Sequence, residues 1–499
     1  MRPFVLLVMV CHGLLNHAAL GGPLRAGIAR IEITDRQAGK VHDPCYAKAL
    51  VLQAGKNTAV LITVDAVAIG EIGRIRNDFM AKVRRELAQD PGIPEAHVII
   101  NASHCHGVVR ADTDQLVVQA VREASRKLTV VKVGVGSAQE TRISENRRLL
   151  LKDGTQVDMR RAYSLPRDED IASVGPIDPQ VGLVRIDRDD GRPLAVIYNF
   201  ACHPIMNPPS KGNSADFPGF ASAVIEETLV HGALALFVQG CGGDINPVRY
   251  KEVNRPDDAE PLGNLLGLTV LRGWREIKTQ PDATLAVQQQ TLSLPRAADF
   301  EQRIAAIETE QTRLLRSLKP TNINFKSFLP LLIQQRMNPE TPSHHAQSYL
   351  HDKQQGRDDL QRLDAENRTQ VEAYLANIQA MEQLTRLNTN LALLKKHGAA
   401  AETAAVRTID VEVSALQIGD CKLVTFPGEL TVEIGLGLKR AAKDPHFFVA
   451  GYTSGYIYYS PTVAQRANTG YAQEDCDCVL APEWQRIFET VALDMLRKF

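Results

Sequence analysis

Short β-like runs alternate with helical runs over residues 27–294, and this alternation limits the fold more than any other feature of the sequence. Ala59–Val64 is a continuous apolar run that predicts a buried strand, and His97–Asn101 predicts another. Between them, Glu71–Leu87 has the spacing of an amphipathic helix. Such alternation predicts an α/β fold, with mixed α+β layers built around a large sheet.

The same alternation returns further along the chain. The predicted strands there are Leu194–Asn199, Ala233–Val238, Thr408–Leu416 and Lys422–Phe426, and the predicted helices are 220–230 and Pro482–Arg497. These segments extend the predicted sheet toward the C-terminus, so the chain is interpreted as one large domain over residues 22–499.

A helical insertion interrupts this domain. Near residue 295 the composition shifts toward Gln, Leu, Glu, Arg and Ala, and two long helical stretches follow, Asp299–Leu318 and Ala346–Lys396. Between them lies a segment rich in proline, a residue that ends helices. We therefore predict an antiparallel helical hairpin over residues 297–400.

The N-terminus has the pattern of a secretory signal. Arg2 precedes the apolar run Phe4–Leu15, which is shorter than the roughly 20 residues that span a bilayer but fits the apolar region of a signal peptide. Small residues at 19–21 suit cleavage. We predict a signal peptide over residues 1–21 and export to the periplasm or the medium; the alternative is a buried N-terminal strand.

Charge and cysteine content restrict the classes of partner and scaffold. The chain has 57 Lys and Arg residues against 58 Asp and Glu residues, a formal net charge of −1. Nucleic acid is not expected as a partner, because phosphate binding needs a clustered basic surface. Eight cysteines at irregular spacing do not form a disulfide framework, and at most one or two bridges are expected. The sequence leaves the oligomeric state open.

Histidines follow two of the predicted strands. In Asn101–Gly107, His104 and His106 lie two residues apart, so in an extended chain both side chains point to the same side. His203 ends a second strand and precedes Pro204, which restricts its backbone. Imidazoles at strand ends can bind zinc, or one of them can bind a metal while the other acts as a base. Surface or core histidines without such a role are the alternative.

Other polar groups follow the remaining strands. Three glycines in Gln239–Pro247 suit either a nest of amides for an oxyanion or a tight turn. Glu429 lies at a strand-to-helix junction, as a site carboxylate or as a helix N-terminal charge, and Gly451–Tyr459 is rich in tyrosine. Asp65 either supports a ligand histidine or caps a turn. Together these residues favour a metal-centred hydrolase.

Several of these motifs follow one another in a characteristic order. They are Ala26–Thr34, Ser103–Gly107, Asn146–Arg147, Asn199–Pro204, Gly243–Pro247, Phe426–Thr431 and Gly455–Ile457. This series resembles the catalytic domain of the neutral/alkaline, non-lysosomal ceramidase family. The resemblance extends from about residue 26 to 480 and is interrupted by the helical insertion.

The resemblance implies a zinc-dependent enzyme that hydrolyses the amide bond of ceramide to a fatty acid and sphingosine. Carried over position by position, it assigns Zn²⁺ to His104, His203, Glu429 and Tyr456, and it places His106, Arg147 and Tyr471 outside the metal shell. Tyr471 follows Tyr456 at a longer spacing than the corresponding family tyrosine does.

Two departures from the family pattern shape the expected reaction. Asn246 stands where the family has a serine before the proline, which excludes a serine nucleophile and favours zinc-activated water. His106 would move the proton to the leaving amine, and Arg147 with the amides of 240–243 would stabilise the oxyanion. The chain ends at Phe499 without the family's C-terminal β-sandwich-like domain. We therefore expect a ceramide-like lipid amide or a related N-acyl compound as substrate.

Two hypotheses of other classes remain. Cys105, Cys202 and Cys241 lie within the motifs, so a cysteine-dependent amidase or acyl transferase is one alternative, although Cys105 should point away from its neighbouring histidines. The other is a catalytically silent module in which Phe325–Ile333 contacts a lipid, a membrane surface or a protein partner. This apolar stretch equally suits packing of the hairpin tip onto the core.

Overall fold

A computed structural model describes residues 22–159, 165–206, 212–250, 252, 254, 257–281, 283–470 and 472–499. The predicted signal peptide, residues 1–21, lies outside the described residues, as does Tyr471. Export and the role of Tyr471 therefore stay predictions.

The strands and helices alternate along most of the chain. The strands are β1 Arg25–Glu32, β2 Tyr46–Ala54, β3 Asn57–Val64, β4 Val98–Ala102, β5 Thr129–Gln139, β6 Ser144–Asn146, β7 Arg148–Leu151, β8 Gln156–Asp158, β9 Ile171–Val174, β10 Gln180–Arg188, β11 Pro193–Phe200, β12 Leu234–Gln239, β13 Ile245–Pro247, β14 Leu285–Pro295, β15 Thr408–Ile418, β16 Cys421–Thr425, β17 Glu429–Leu430, β18 Phe447–Ala450 and β19 Tyr459–Ser460. The helices are α1 Phe79–Gln89, α2 Thr113–Ser125, α3 Asp216–Leu229, α4 Glu260–Glu276, α5 Phe300–Ser317, α6 Phe325–Met337, α7 Ala346–Gln354, α8 Asp359–Glu402, α9 Val432–Ala442, α10 Val463–Arg466, α11 Gln473–Cys476 and α12 Trp484–Arg497.

Two mixed sheets enclose a common apolar core. The larger sheet has eight strands in the order β12-β11-β10-β5-β1-β2-β3-β4, and the smaller has four in the order β14-β15-β16-β18. Strands β1 and β5 pair over only two residue pairs, so the large sheet consists of two halves joined at a short seam. One buried cluster joins the two sheets. It contains Leu61 and Val238, from the two halves of the large sheet, and Leu416 from the small sheet. This arrangement confirms the predicted α/β fold with mixed layers.

Helices cover the outer faces of the sheets. Helices α1 and α2 pack on the half formed by β1–β4, and α3 and α4 pack on the half formed by β5 and β10–β12. Helices α9 and α12 cover the small sheet, where the rings of Phe426, Trp484 and Phe488 pack together. Each sheet is therefore buried on both faces, which explains the continuous apolar runs of its strands.

The carboxyl ends of β4, β12 and β18 meet at one end of the core. The side chain of Asn101 on β4 donates to the carbonyl oxygen of Gly451 at 2.8 Å and accepts from the backbone N–H of Gln239 at 2.9 Å. The Gln239 side chain in turn donates to the carbonyl oxygen of Cys202, just after β11, at 2.7 Å. The segments that follow these strands are thus held side by side.

The insertion lies between the antiparallel partners β14 and β15. Helices α5 and α8 run antiparallel, since Phe300 packs near Leu394 and Leu314 packs near Ala380. The sequence predicts one helical stretch over residues 346–396, whereas the structure has two helices there. The break falls at Gly356, whose φ of +66° interrupts the helical backbone.

A second predicted helix is shorter than expected. The sequence predicts a helix from Glu71 to Leu87, but α1 begins only at Phe79. The side-chain oxygen of Asn77 accepts from the backbone N–H of Glu71, whose φ is +58°, and this local hydrogen bond competes with helix formation. None of the described helices combines the length and the apolar character needed to cross a bilayer.

Packing of α12 against the small sheet should be a large source of stability. Phe488 has no exposed surface and contacts the rings of Phe426 and Trp484. We predict that Phe488→Ala lowers the free energy of unfolding by about 3–5 kcal/mol, because the substitution removes buried apolar contacts and leaves a cavity. Denaturant titration followed by circular dichroism measures this loss.

The matched control is Leu268→Ala on α4, where the leucine side chain is 52% exposed. Its effect should be within about 0.5 kcal/mol, as is usual for surface positions. A loss for Phe488→Ala no larger than that of the control would contradict this packing.

Candidate metal centre

Two histidines are oriented by backbone carbonyl groups. His104 follows β4, and its Nδ1 lies 2.6 Å from the carbonyl oxygen of Val67, just after β3. His203 follows β11, and its Nδ1 lies 2.5 Å from the carbonyl oxygen of Gly242. A carbonyl oxygen only accepts hydrogen bonds, so each Nδ1 carries the proton. Each Nε2 therefore keeps a lone pair, and the two lone pairs face one common position between the rings.

That place is occupied by the carboxylate of Glu429, at the start of β17. Its Oε2 lies 3.0 Å from Nε2 of His203 and 3.5 Å from Nε2 of His104. All three residues are buried, and their ligand atoms lie within 4.8 Å of one another. The structure thus brings together three of the four residues that the resemblance assigns to zinc, with their donor atoms converging.

The chemistry of this donor set fits a divalent cation. Burial lowers the pKa of His104 to about 4, so its ring is neutral near pH 7. Burial alone would raise the pKa of Glu429, but the neighbouring His104 and His203 and the hydroxyl of Tyr456, which donates to this carboxylate, hold it below its ordinary value. An ionised carboxylate then faces two nitrogen lone pairs, and such an arrangement of acceptors is stabilised by a metal ion.

Two tyrosines complete the surroundings of the carboxylate. The hydroxyl of Tyr456 donates to Oε1 of Glu429, and the hydroxyl of Tyr452 donates to Oε2 at 3.2 Å. The ring of Tyr452 also lies 4.5 Å from that of His104, measured between centroids. Tyr456, the fourth residue assigned to zinc by resemblance, therefore has its oxygen beside the cluster. The role of Tyr452 was not predicted, although the tyrosine-rich run around it was the available signal.

Arg147 reaches the centre through a third tyrosine. Its Nη2 donates to the hydroxyl of Tyr459 at 3.1 Å and to the carbonyl oxygen of Gly243 at 2.7 Å. The Tyr459 hydroxyl lies 3.4 Å from Nε2 of His203, and the two rings are stacked. Burial raises the pKa of Tyr459, so its hydroxyl keeps its proton. Arg147 thus orients a hydroxyl group next to the cluster of His104, His203 and Glu429.

Buried ion pairs fix the position of Arg147. Its Nε contacts Glu474 at 2.5 Å, and the neighbouring Arg148 contacts the same carboxylate at 3.0 Å and Asp475 at 2.8 Å. The side chain of Glu474 has no exposed surface. Sequence reasoning missed Glu474, because the partners are 327 and 326 residues apart and no local pattern links them.

His106 lies at the opening of the centre. Its ring centroid is 5.6 Å from that of His104, and its side chain is exposed. Desolvation by the surrounding protein, together with the neighbouring His104, lowers the pKa of His106 to about 4, so its ring is neutral near pH 7. Within the described part of the chain, no hydrogen bond holds this ring, which leaves both nitrogens accessible. Tyr471, the remaining residue assigned by resemblance, is outside the described residues.

Of the two alternatives for the glycine-rich segment after β12, the structure favours the tight turn over a nest of free amides. The backbone N–H groups of Gly240, Gly242 and Gly243 donate to the carbonyl oxygens of Phe200, Gly240 and Leu430, so they are already paired within the fold. These glycines instead allow close packing, since a Cβ on Gly243 would lie 2.6 Å from the carbonyl oxygen of Glu429. An oxyanion therefore has no free amide donor among these three.

Asp65 does not contact a ligand histidine. Its Oδ2 accepts from the backbone N–H of Tyr46 at 2.9 Å, so the side chain ties the end of β3 to the start of β2. The group that orients the His104 ring is instead the carbonyl oxygen of Val67, two residues after Asp65.

The cysteines near the centre are buried thiols. Cys105, Cys202 and Cys241 are free and at most 4% exposed. Burial raises the pKa of Cys202 and of Cys241 above the ordinary thiol value. A protonated thiol without access to solvent is a poor nucleophile, so these contacts do not favour the cysteine-dependent alternative.

Solved structures share this architecture. Neutral ceramidase from Pseudomonas aeruginosa superposes with a TM-score of 0.59 and 16% sequence identity, covering 95% of this chain and 75% of that one. The fold is ceramidase-like. A ceramidase complexed with C2 gives a TM-score of 0.58 at 15% identity, with the same coverage of both chains. No protein-family model and no curated protein sequence matches the chain.

The ceramidase-like fold confirms the resemblance drawn from the order of the motifs. At this level of identity the similarity establishes the architecture. The donor atoms of the cluster are therefore argued from the geometry of this chain's own residues.

The buried ion pairs beside this centre should be needed for stability. We predict that Glu474→Ala lowers the free energy of unfolding by about 3–5 kcal/mol, because it leaves the buried guanidinium of Arg147 without its carboxylate. Glu474→Gln keeps a hydrogen-bond acceptor and should cost less. Denaturant titration compares the variants with Asp494→Ala, which breaks an exposed pair with Arg497 and should leave stability nearly unchanged. Equal effects of Glu474→Ala and Asp494→Ala would be incompatible with this network.

Proposed function

We propose that the chain is a zinc-dependent hydrolase that cleaves the amide bond of an N-acylated lipid, a ceramide-like compound or a related N-acyl amide. The observation that carries this proposal is the convergence of Nε2 of His104 and Nε2 of His203 on the buried carboxylate of Glu429. The ceramidase-like fold supports an amide as the bond and a lipid as the substrate class.

Zn²⁺ suits these ligands better than other common metals do. Two imidazoles and one carboxylate are the ligand set of many catalytic zinc sites, whereas magnesium and calcium prefer oxygen ligands alone. The phenolic oxygen of Tyr456 lies beside Glu429 and is available as the fourth ligand. Zinc bound there would supply a Lewis acid that lowers the pKa of water and polarises the substrate carbonyl.

His106 is proposed as the group that moves protons. It lies next to His104 at the opening, and its ring is exposed and not held by hydrogen bonds to the described residues. A ring nitrogen of His106 accepts a proton from water and returns it to the leaving nitrogen of the amide. The buried His104 and His203 cannot take this role, because their Nδ1 atoms are bound to carbonyl oxygens and their Nε2 lone pairs are the proposed zinc ligands.

Tyr459 is proposed to stabilise negative charge on the substrate oxygen. Arg147 donates to the Tyr459 hydroxyl oxygen, so the hydroxyl proton points away from Arg147 and toward the cluster. Arg147 is then a positioning residue that polarises this donor. A hydroxyl oriented in this way replaces the glycine amides, which are already paired.

Removal of the two histidines should abolish zinc binding and activity together. We predict that His104→Ala/His203→Ala reduces bound zinc from one equivalent per chain to less than about 0.1, because two of the nitrogen ligands are lost. Hydrolysis of N-acyl lipid amides should fall to the uncatalysed rate. Elemental analysis of the purified variant and a hydrolysis assay with and without a chelator measure both effects.

Two matched variants serve as controls for the double histidine variant. His351→Ala on α7 removes an exposed histidine and should leave zinc content and activity unchanged. Cys105→Ala removes the thiol between the two motif histidines and should keep both as well. Full zinc content in the double histidine variant would refute the metal centre, and loss of activity in Cys105→Ala with zinc retained would support the thiol mechanism instead.

A further inference from the structure

Helix α6, at the end of the inserted hairpin, is apolar on two sides. One side packs against α8, where the rings of Phe328 and Tyr374 stack with 4.6 Å between centroids. The other side carries Phe325, Leu329, Ile333 and Met337, which are 62%, 43%, 48% and 82% exposed. A helix that is apolar all round is normally buried on all sides, so the outer side of α6 lacks a covering element among the described residues.

The outer side of α6 is a continuous stripe. Its four apolar residues are spaced four apart, and at about 100° per residue they span an arc of roughly 120°. We call these four residues the outer stripe. A single exposed apolar residue is common on protein surfaces, but these four together form a continuous ridge along the whole helix.

The orientation of the outer stripe is fixed. Asn324 caps the helix, and its side chain accepts from the backbone N–H groups of Lys326 and Ser327. Phe328 is only 4% exposed and anchors the opposite side on α8. The helix therefore cannot turn its outer stripe inward without losing both contacts.

The charges on α6 are of one sign. Lys326 and Arg336 are exposed within the same arc as the outer stripe, and the helix contains no Asp or Glu. Exposed lysine and arginine side chains attract anionic lipid headgroups, and exposed apolar side chains beside them can enter the headgroup–acyl boundary of a bilayer. A protein partner would more often require carboxylates or hydrogen-bonding groups at the rim.

We propose that the outer stripe of α6 docks the protein on an anionic lipid surface, with its apolar side chains between the acyl chains and Lys326 and Arg336 at the headgroups. This inference rests on the exposure and charge of α6 and does not require the proposed hydrolase activity. It also gives a role to the helical insertion, which contains none of the residues named in the proposed reaction.

The docking surface is separate from the metal centre. His397, near the other end of α8, contacts the ring of Tyr458 beside the centre, with 4.7 Å between centroids. Along α8, Tyr374 and His397 are about 35 Å apart. Docking through α6 therefore places the enzyme at a lipid surface without changing the residues that bind the metal.

Vesicle co-sedimentation of the whole protein tests the proposal. The parent should bind vesicles that contain phosphatidylglycerol and bind weakly to phosphatidylcholine alone. Phe325→Gln/Met337→Gln should weaken binding at least about tenfold, because two apolar side chains no longer enter the bilayer. Lys326→Gln/Arg336→Gln should reduce the preference for the anionic vesicles and its dependence on salt.

A matched control removes exposed apolar residues elsewhere. Leu268→Gln/Val174→Gln changes side chains that are 52% and 58% exposed and lie outside the insertion, and it should bind vesicles like the parent. Circular dichroism confirms that each variant is folded. Zinc content and hydrolysis of a short, soluble N-acyl amide should be the same in all of them, so failure of docking and failure of the proposed activity are distinguished.

Two results would overturn the proposal. One is equal vesicle binding by the parent and Phe325→Gln/Met337→Gln, or no binding by either. The other is a dimer of the parent in lipid-free solution that dissociates in the same variant, because a second copy of the chain would then cover the outer stripe.

Discussion

The buried side chain of Asn101 holds together the strand ends on which the metal centre depends. Its amide nitrogen bonds to Gly451 and Thr453, and its oxygen accepts from Gln239, so one side chain joins the ends of β4, β12 and the segment after β18. Gln239 extends this link to Cys202, the neighbour of His203. Because buried polar groups are costly unless paired, these amides set a single arrangement of the loops that follow.

The centre then follows from backbone geometry. Val67 and Gly242 present carbonyl oxygens that select the Nδ1-protonated form of each histidine, and Glu429, at the start of β17, lies beside the two Nε2 lone pairs. His104 follows β4, His203 follows β11 and Glu429 begins β17, so these three side chains meet only when the distant parts of the domain are folded together. A metal ion bound by these residues would therefore be linked to folding of the domain.

The sequence was sufficient for the fold class and for the residues at the strand ends, because apolar periodicity and strand termini are local signals. It was insufficient where long-range pairing decides. Glu474 is far from Arg147 in sequence, and the choice between a nest of free amides and a tight turn after β12 is decided by carbonyl groups, mostly distant in sequence, with which the glycine amides pair. The break between α7 and α8 depends on one glycine, Gly356, within an otherwise helical pattern.

Anomalous diffraction at the zinc edge tests the account most directly. Crystals of the full chain grown with zinc should give one strong anomalous peak, at about 2.0–2.1 Å from Nε2 of both His104 and His203 and in contact with Glu429. The Nδ1 atoms should remain on their carbonyl oxygens. A zinc-loaded crystal without a peak between these residues, or with the ion bound at Nδ1 or at a cysteine, would contradict the account.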